Sequence, residues 1–172
     1  IIAHVDHGKT TLVDSMLAFC GAMELNRDES DCILDSDPLE KERGITITSK
    51  NCAVTYRPHA GDFADKTCRI NIIDTPGYSD FYGETLGALR VADIAIIVVH
   101  ANQGIEVGTE NAWNHSSNYG DSKIIVINAM DKEYADFDKI LQQAKDRFQN
   151  KVFPLTVPLN TGPGFSKILD IL

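Results

Sequence analysis

The chain has 172 residues, 43% hydrophobic and 24% charged, which suits one globular domain with its own core. Sixteen basic against 25 acidic residues give a net charge of −9, which argues against a general phosphate-backbone binder and sets an expectation of no DNA partner. No apolar run approaches the roughly 20 residues that span a bilayer, so no membrane partner is expected either.

The chain opens on Ile1-Ile2-Ala3-His4-Val5, without Met or a leader, and reads as a fragment beginning in a first strand. Residues 10–19 are predicted to form a helix. Residues 22–50 are polar and without core periodicity, and read as one long loop of the kind that is usually functional. The turn-rich stretch 58–67 is expected to close a hairpin between strands two and three. Strand three is placed at 69–73, followed by a helix over 79–92. Strand four covers 94–99 and is followed by a helix over 109–119. Strand five covers 124–127 and is followed by a helix over 136–148. The strands are short β-branched runs, not alternating patterns, which suits burial on both faces of a parallel sheet. Strand then helix, repeated, predicts an α/β fold: a doubly wound, mostly parallel sheet with helices on both faces. Thr161-Gly162-Pro163-Gly164 is a breaker cluster and a possible boundary. The four Cys show no C-x-x-C spacing and the five His no metal-ligand pattern, so reduced thiols in a cytoplasmic protein are expected.

Three segments carry chemistry, each at the end of a predicted strand. Ala3-His4-Val5-Asp6-His7-Gly8-Lys9-Thr10 fits the phosphate-binding loop G-x-x-x-x-G-K-[ST] at every fixed position but the first, where Ala3 replaces Gly. In such a loop backbone N–H groups turn inward on the phosphates and the following helix N-terminus faces the anion. Lys9 would reach the β- and γ-phosphates and Thr10 would put its hydroxyl on Mg²⁺, with Thr11 beside it. Asp74-Thr75-Pro76-Gly77 follows strand three; Asp74 would hold Mg²⁺ and the Gly77 N–H could bind the γ-phosphate. Asn128-Ala129-Met130-Asp131 closes strand five and is similar to the guanine-reading N-K-x-D pattern. There the Asp131 carboxylate would accept from two guanine donors that adenine lacks, and Asn128 would tie the two loops together. Each segment has a plainer explanation alone: a chance Gly-Lys-Thr before a helix, a turn, an Asn/Asp helix cap. Their order, each after a strand, favours a nucleotide site of the P-loop NTPase kind.

Lys41-Glu42-Arg43-Gly44-Ile45-Thr46 resembles the switch I signature of ribosomal translation GTPases, and the resemblance extends over essentially the whole chain. Ala3 to Thr10 and residues 35–43 also look like the TypA/BipA and LepA branches. Gly104-Ile105-Glu106-Val107-Gly108-Thr109-Glu110, residues 135–137 and 143–148, and Pro154-Leu155-Thr156-Val157-Pro158-Leu159 look like elongation factor G. The resemblance implies GTP/GDP and Mg²⁺ as ligands, with Thr46 on Mg²⁺ and the γ-phosphate, and Val5 and Ile45 as an apolar gate beside the attacking water. It links Asp6 to monovalent cation binding. It implies a monomer acting at the factor-binding site of the large ribosomal subunit, most simply in translocation. It also divides the chain into a GTP-binding domain, 1–160, truncated at both ends, and the start of an inserted subdomain, 161–172.

Two residues depart from the family. Switch II reads D-T-P-G-H there, but Tyr78 stands in the His position. A phenol is a poor base near neutral pH and cannot become cationic. Ala129 stands where a Lys stem would lie along the guanine ring. A divergent bacterial group similar to elongation factor G carries the same two changes. Lys9, Thr46 and Tyr78 are thus the candidate catalytic residues, and a GTP-dependent ribosome ligand with weak or lost hydrolysis is the alternative reading. A P-loop ATPase or kinase is a third, opposed by Asp131 and the 43–46 segment.

Overall fold

A computed structural model of the chain describes residues 1–21, 37–59, 61–64, 66–120, 122–149 and 151–171. Strand β1 (Ile2–Ala3) leads through a tight loop into α1 (Lys9–Phe19). A six-residue helix α2 (Pro38–Arg43) precedes β2 (Lys50–Tyr56) and β3 (Cys68–Asp74). A 3-10 turn (Ser79–Phe81) leads into α3 (Tyr82–Leu89), and β4 (Ile94–His100), α4 (Val107–Tyr119), β5 (Ser122–Asn128) and α5 (Phe137–Arg147) follow. Two short strands, β6 (Thr156–Pro158) and β7 (Ile168–Asp170), end the described chain. Among the described residues no helix is long and apolar enough to cross a membrane.

The β-branched runs do lie in strands, and β1, β4 and β5 form a parallel sheet in the order β1-β4-β5. Alternation along β4 turns Ala95, Ile97 and Val99 toward the helices. Ala95 and Ile97 pack with Leu89 of α3 and Ala112 of α4, and Val99 packs with Ile140 of α5. Burying each of the larger side chains here, Leu, Ile or Val, contributes about 1.5–3 kcal/mol. A third cluster sets Val13 and Leu17 of α1 on Val54 of β2 and Ile72 of β3.

The sheet differs from the sequence expectation in one respect. Strand three forms the expected hairpin, pairing antiparallel with β2 along its length from Lys50↔Asp74 to Tyr56↔Cys68, but among the described residues it is not ladder-paired with the parallel strands β1, β4 and β5. Beside it, β1 begins at Ile2. The two strands meet instead where the Ile1 nitrogen donates to the Ile73 carbonyl at 2.7 Å and the Thr75 hydroxyl donates to the Ile1 carbonyl at 2.9 Å. That junction still brings the end of β3 beside the loop after β1. A second difference is α2, which lies inside the stretch read as loop; residues 22–36 of that stretch lie outside the described residues. The hairpin β6–β7 spans the breaker cluster at 161–164, so residues on either side of 161 are hydrogen-bonded to each other.

Candidate functional site: a phosphate loop, two switch segments and a base loop

The loop after β1 turns through left-handed backbone at Asp6 (φ 60°) and Gly8 (φ 83°). Only Gly fits the second position, since a Cβ there would stand 2.4 Å from Asn128 Nδ2. That amide, at the end of β5, donates to the His7 carbonyl at 3.1 Å, so the base loop and the phosphate loop are tied directly. No side chain caps α1 and no acidic residue occupies its first turn. Its first N–H groups, with the helix dipole behind them, are thereby left to an anion. Lys9 is buried, and its ammonium lies against Gly77, where a Cβ would come 2.5 Å from Nζ and 3.3 Å from the Val5 backbone. The lysine is therefore held between the phosphate loop and the start of switch II.

Thr10, Thr46 and Asp74, from three distant segments, converge on one point. The Thr10 hydroxyl donates to Asp74 Oδ2 at 2.8 Å and lies 3.1 Å from the Thr46 hydroxyl. All three residues are buried. Three hard oxygen atoms, one of them a carboxylate, fit Mg²⁺, which is usually bound through one or two carboxylates and fills its octahedron with other oxygens, waters and phosphate oxygens among them. Beside them opens a cavity of about 280 Å³ lined by Val5, Asp6, Gly8 to Thr11, Gly44 to Thr46, Gly77 and Tyr78. Val5 and Ile45 thus face the same space as Lys9, and Tyr78 stands at its margin, 38% exposed.

The remaining candidates have supporting contacts. Ala3 pairs with Val98 in the sheet. His4 Nε2 lies 2.7 Å from a carboxylate oxygen of Glu106, the residue that opens α4. His7 is fully buried; its Nδ1–H donates to the Val98 carbonyl at 3.1 Å, and burial lowers its pKa, so the ring is neutral. The Pro76 carbonyl accepts from the Thr85 hydroxyl of α3 at 3.4 Å.

The base loop lies apart from that cavity. Asn128, Ala129, Met130 and Asp131 line a second one, of about 560 Å³, between β5, α5 and residues 151–168. Ala129 is left-handed (φ 59°) and Met130 is buried. The Asp131 carboxylate is exposed and sits 3.5 Å from Lys132 Nζ. Only Asn128 links this loop to the phosphate loop among the described contacts.

Sequence reasoning missed Glu40 and Glu84, and gave Gly44 no role beyond its place in the 41–46 hexapeptide. Glu40 is buried under the 45–48 segment, Gly44 lines the cavity, and Glu84 Oε2 accepts from the Ser49 N–H at 2.9 Å, joining the two switch segments. Asp37-Pro38 and Gly44 were the available signal, as cap, first-turn proline and stop of a short helix.

Residues 1–168 match the family model described as elongation factor Tu GTP binding domain. The chain belongs to this family. The GTP-binding domain is 37% identical over its whole length to elongation factor G of Mycoplasma pneumoniae, covering 24% of that protein. It is 43% identical over 150 residues, 87% of the chain, to the large ribosomal subunit assembly factor BipA of Buchnera aphidicola, covering 23% of it. It is similar to a solved structure from Thermus thermophilus, with a TM-score of 0.83 and 29% identity over 98% of the chain and 24% of that protein. The domain thus spans about a quarter of the length of these relatives.

Proposed function

We propose that this domain binds GTP with Mg²⁺ and hydrolyses it as part of a cytoplasmic, monomeric translation factor. Its partner would be the factor-binding site of the large ribosomal subunit, and the step driven, most simply, translocation. The observation that carries the reading is the convergence of Thr10, Thr46 and Asp74 beside a cavity faced by Lys9. Lys9 would donate to the β- and γ-phosphate oxygens, and the N–H groups at the start of α1 would hold the same charge as it shifts toward the leaving group. Thr10, Asp74 and Thr46 would hold Mg²⁺, which neutralises phosphate charge when bound. Val5 and Ile45 would keep bulk water from the attacked phosphorus, and a single water would attack in line.

Tyr78 supports a second reading, a GTP-dependent ribosome ligand with a weak timer. Tyr78 lines the cavity, but a phenol cannot orient water as a cationic imidazolium would. Losing one group that acts only in the transition state costs roughly 10²- to 10³-fold in rate. GTP turnover by the full-length protein, with and without ribosomes, separates the two beside a Tyr78→His variant. Strong ribosome stimulation of the unaltered protein supports the first reading. Tight binding with slow turnover, raised by His, supports the second, and no GTP binding at all sinks both.

A further inference from the structure

We propose that Glu40 is a positioning residue for Thr46: its buried carboxylate folds residues 45–48 into the turn that presents the Thr46 hydroxyl to Thr10 and Asp74. The inference rests on the reading that Thr46 serves bound GTP.

The local chain explains how a glutamate comes to be there. Asp37 caps α2, its side chain accepting from the Leu39 N–H at 2.7 Å, and Pro38 fills the first helical position. Gly44, left-handed at φ 62°, stops the helix and reverses the chain. The Ile45 N–H then donates to the Glu40 carbonyl at 3.2 Å. Beyond the turn, Glu40 Oε1 accepts from the Ile47 N–H at 2.8 Å and the Thr48 N–H at 3.2 Å, and Oε2 pairs with Lys50 Nζ at the start of β2. Thr46 is therefore flanked by two residues whose N–H groups both end on Glu40. Its side chain is left facing the other way, 3.1 Å from Thr10.

A glutamate on a short polar helix would ordinarily point to water. Glu40 is 1% exposed, and burying a carboxylate is costly unless several donors meet it. Here both oxygens are met. Burial pushes the carboxyl up, but the Lys50 ammonium and the Ile47 and Thr48 N–H groups outweigh it and hold it below the usual carboxylate range. The carboxylate thus stays charged, and its stored donors set one conformation of the segment.

The role predicts selectivity, not general weakness, because Thr46 would touch only the γ-phosphate side. In the full-length protein, Glu40→Ala should weaken binding of a non-hydrolysable GTP analogue by about 10-fold while GDP binding stays within about 2-fold. Hydrolysis should fall with it. In a Thr46→Ala background the same substitution should change neither affinity further, since both act through one hydroxyl. If Glu40→Ala does not fold, Glu40→Asp takes its place: one methylene shorter, it keeps the charge but retracts from the Ile47 N–H, and should show the same GTP-selective loss. Equal losses for GTP and GDP, or losses that add in full to Thr46→Ala, overturn the proposal and leave the GTPase reading intact. Unaltered protein that binds no GTP overturns both.

Discussion

Ala129 and Asp6 hold left-handed backbone without being glycine, at φ 59° and 60°, and lie in the loops after β5 and β1 that carry the candidate site. Each such residue costs about 1–2 kcal/mol against ordinary helical backbone, so the contacts around it must hold it there. For the base loop one such contact is the Asn128 amide on the His7 carbonyl. What Ala129 lacks is a stem to lie along a base. Restoring one, Ala129→Lys, should tighten GTP and GDP alike by about 1–2 kcal/mol, or roughly 5- to 30-fold, from about two buried methylenes. Titration with a fluorescent nucleotide reads the change, and unaltered affinity would remove residues 128–131 from the base site.

The elements show a second level of control. Helix α2 has six residues, too few to persist on propensity, and is held by its cap, its proline and its glycine stop. Gly44 has open space around it, with nothing within 4 Å of a would-be Cβ, so Gly44→Ala would act through backbone conformation alone. A left-handed Ala costs about 1–2 kcal/mol, and local opening of the 44–48 turn should become easier by that amount. Amide hydrogen exchange at Ile45 and Ile47, both bonded to Glu40, is expected to speed up by about 5- to 30-fold, with Ile97 in the sheet unchanged. Matching rates in the two proteins would show that Gly44 does not govern the turn. Much at this scale was legible beforehand. Some helix starts carry a local signal, as Asp136 before α5 accepts from the Lys139 N–H at 3.0 Å, whereas α1 and α3 have no side-chain cap. Helix α2 was not read because its sequence, Pro-Leu-Glu-Lys-Glu-Arg, has no apolar stripe: the side chain it buries is a glutamate, invisible to hydrophobic periodicity.

For the molecule as a whole, His7 joins the phosphate loop to the central strand, 91 residues away in sequence. It is fully buried, its Nε2 has no hydrogen-bond partner among the described residues, and its ring faces His4 and His100, with Glu106 beyond His4. Desolvation lowers its pKa, the Val98 bond and Glu106 opposing in part. The unfolded chain, with an ordinary histidine near pH 6.5, therefore binds more protons in mild acid than the folded one. Its contribution to stability is fully present above about pH 6.5 and is lost as pH falls from there toward the lowered folded value. Urea unfolding of His7→Gln should accordingly show a shallower loss of stability between about pH 7 and 5.5 than the unaltered protein. Parallel profiles would mean the buried ring is not the proton-linked group.

The sequence by itself determined the element types, since β-branched runs and caps are local, and it determined which residues could do the chemistry, since the phosphate loop, D-T-P-G and the 41–46 hexapeptide each carry a local pattern. Tertiary structure decided what local pattern cannot encode. It kept β3 out of the parallel ladder while tying its end to Ile1 through the Ile73 carbonyl and the Thr75 hydroxyl. It brought Thr10, Thr46 and Asp74, 64 residues apart at the extremes, within hydrogen-bonding reach. And it buried Glu40, because a carboxylate inside a protein is stable only where the folded chain supplies its donors, and those donors come from a turn and a strand that α2 does not contain.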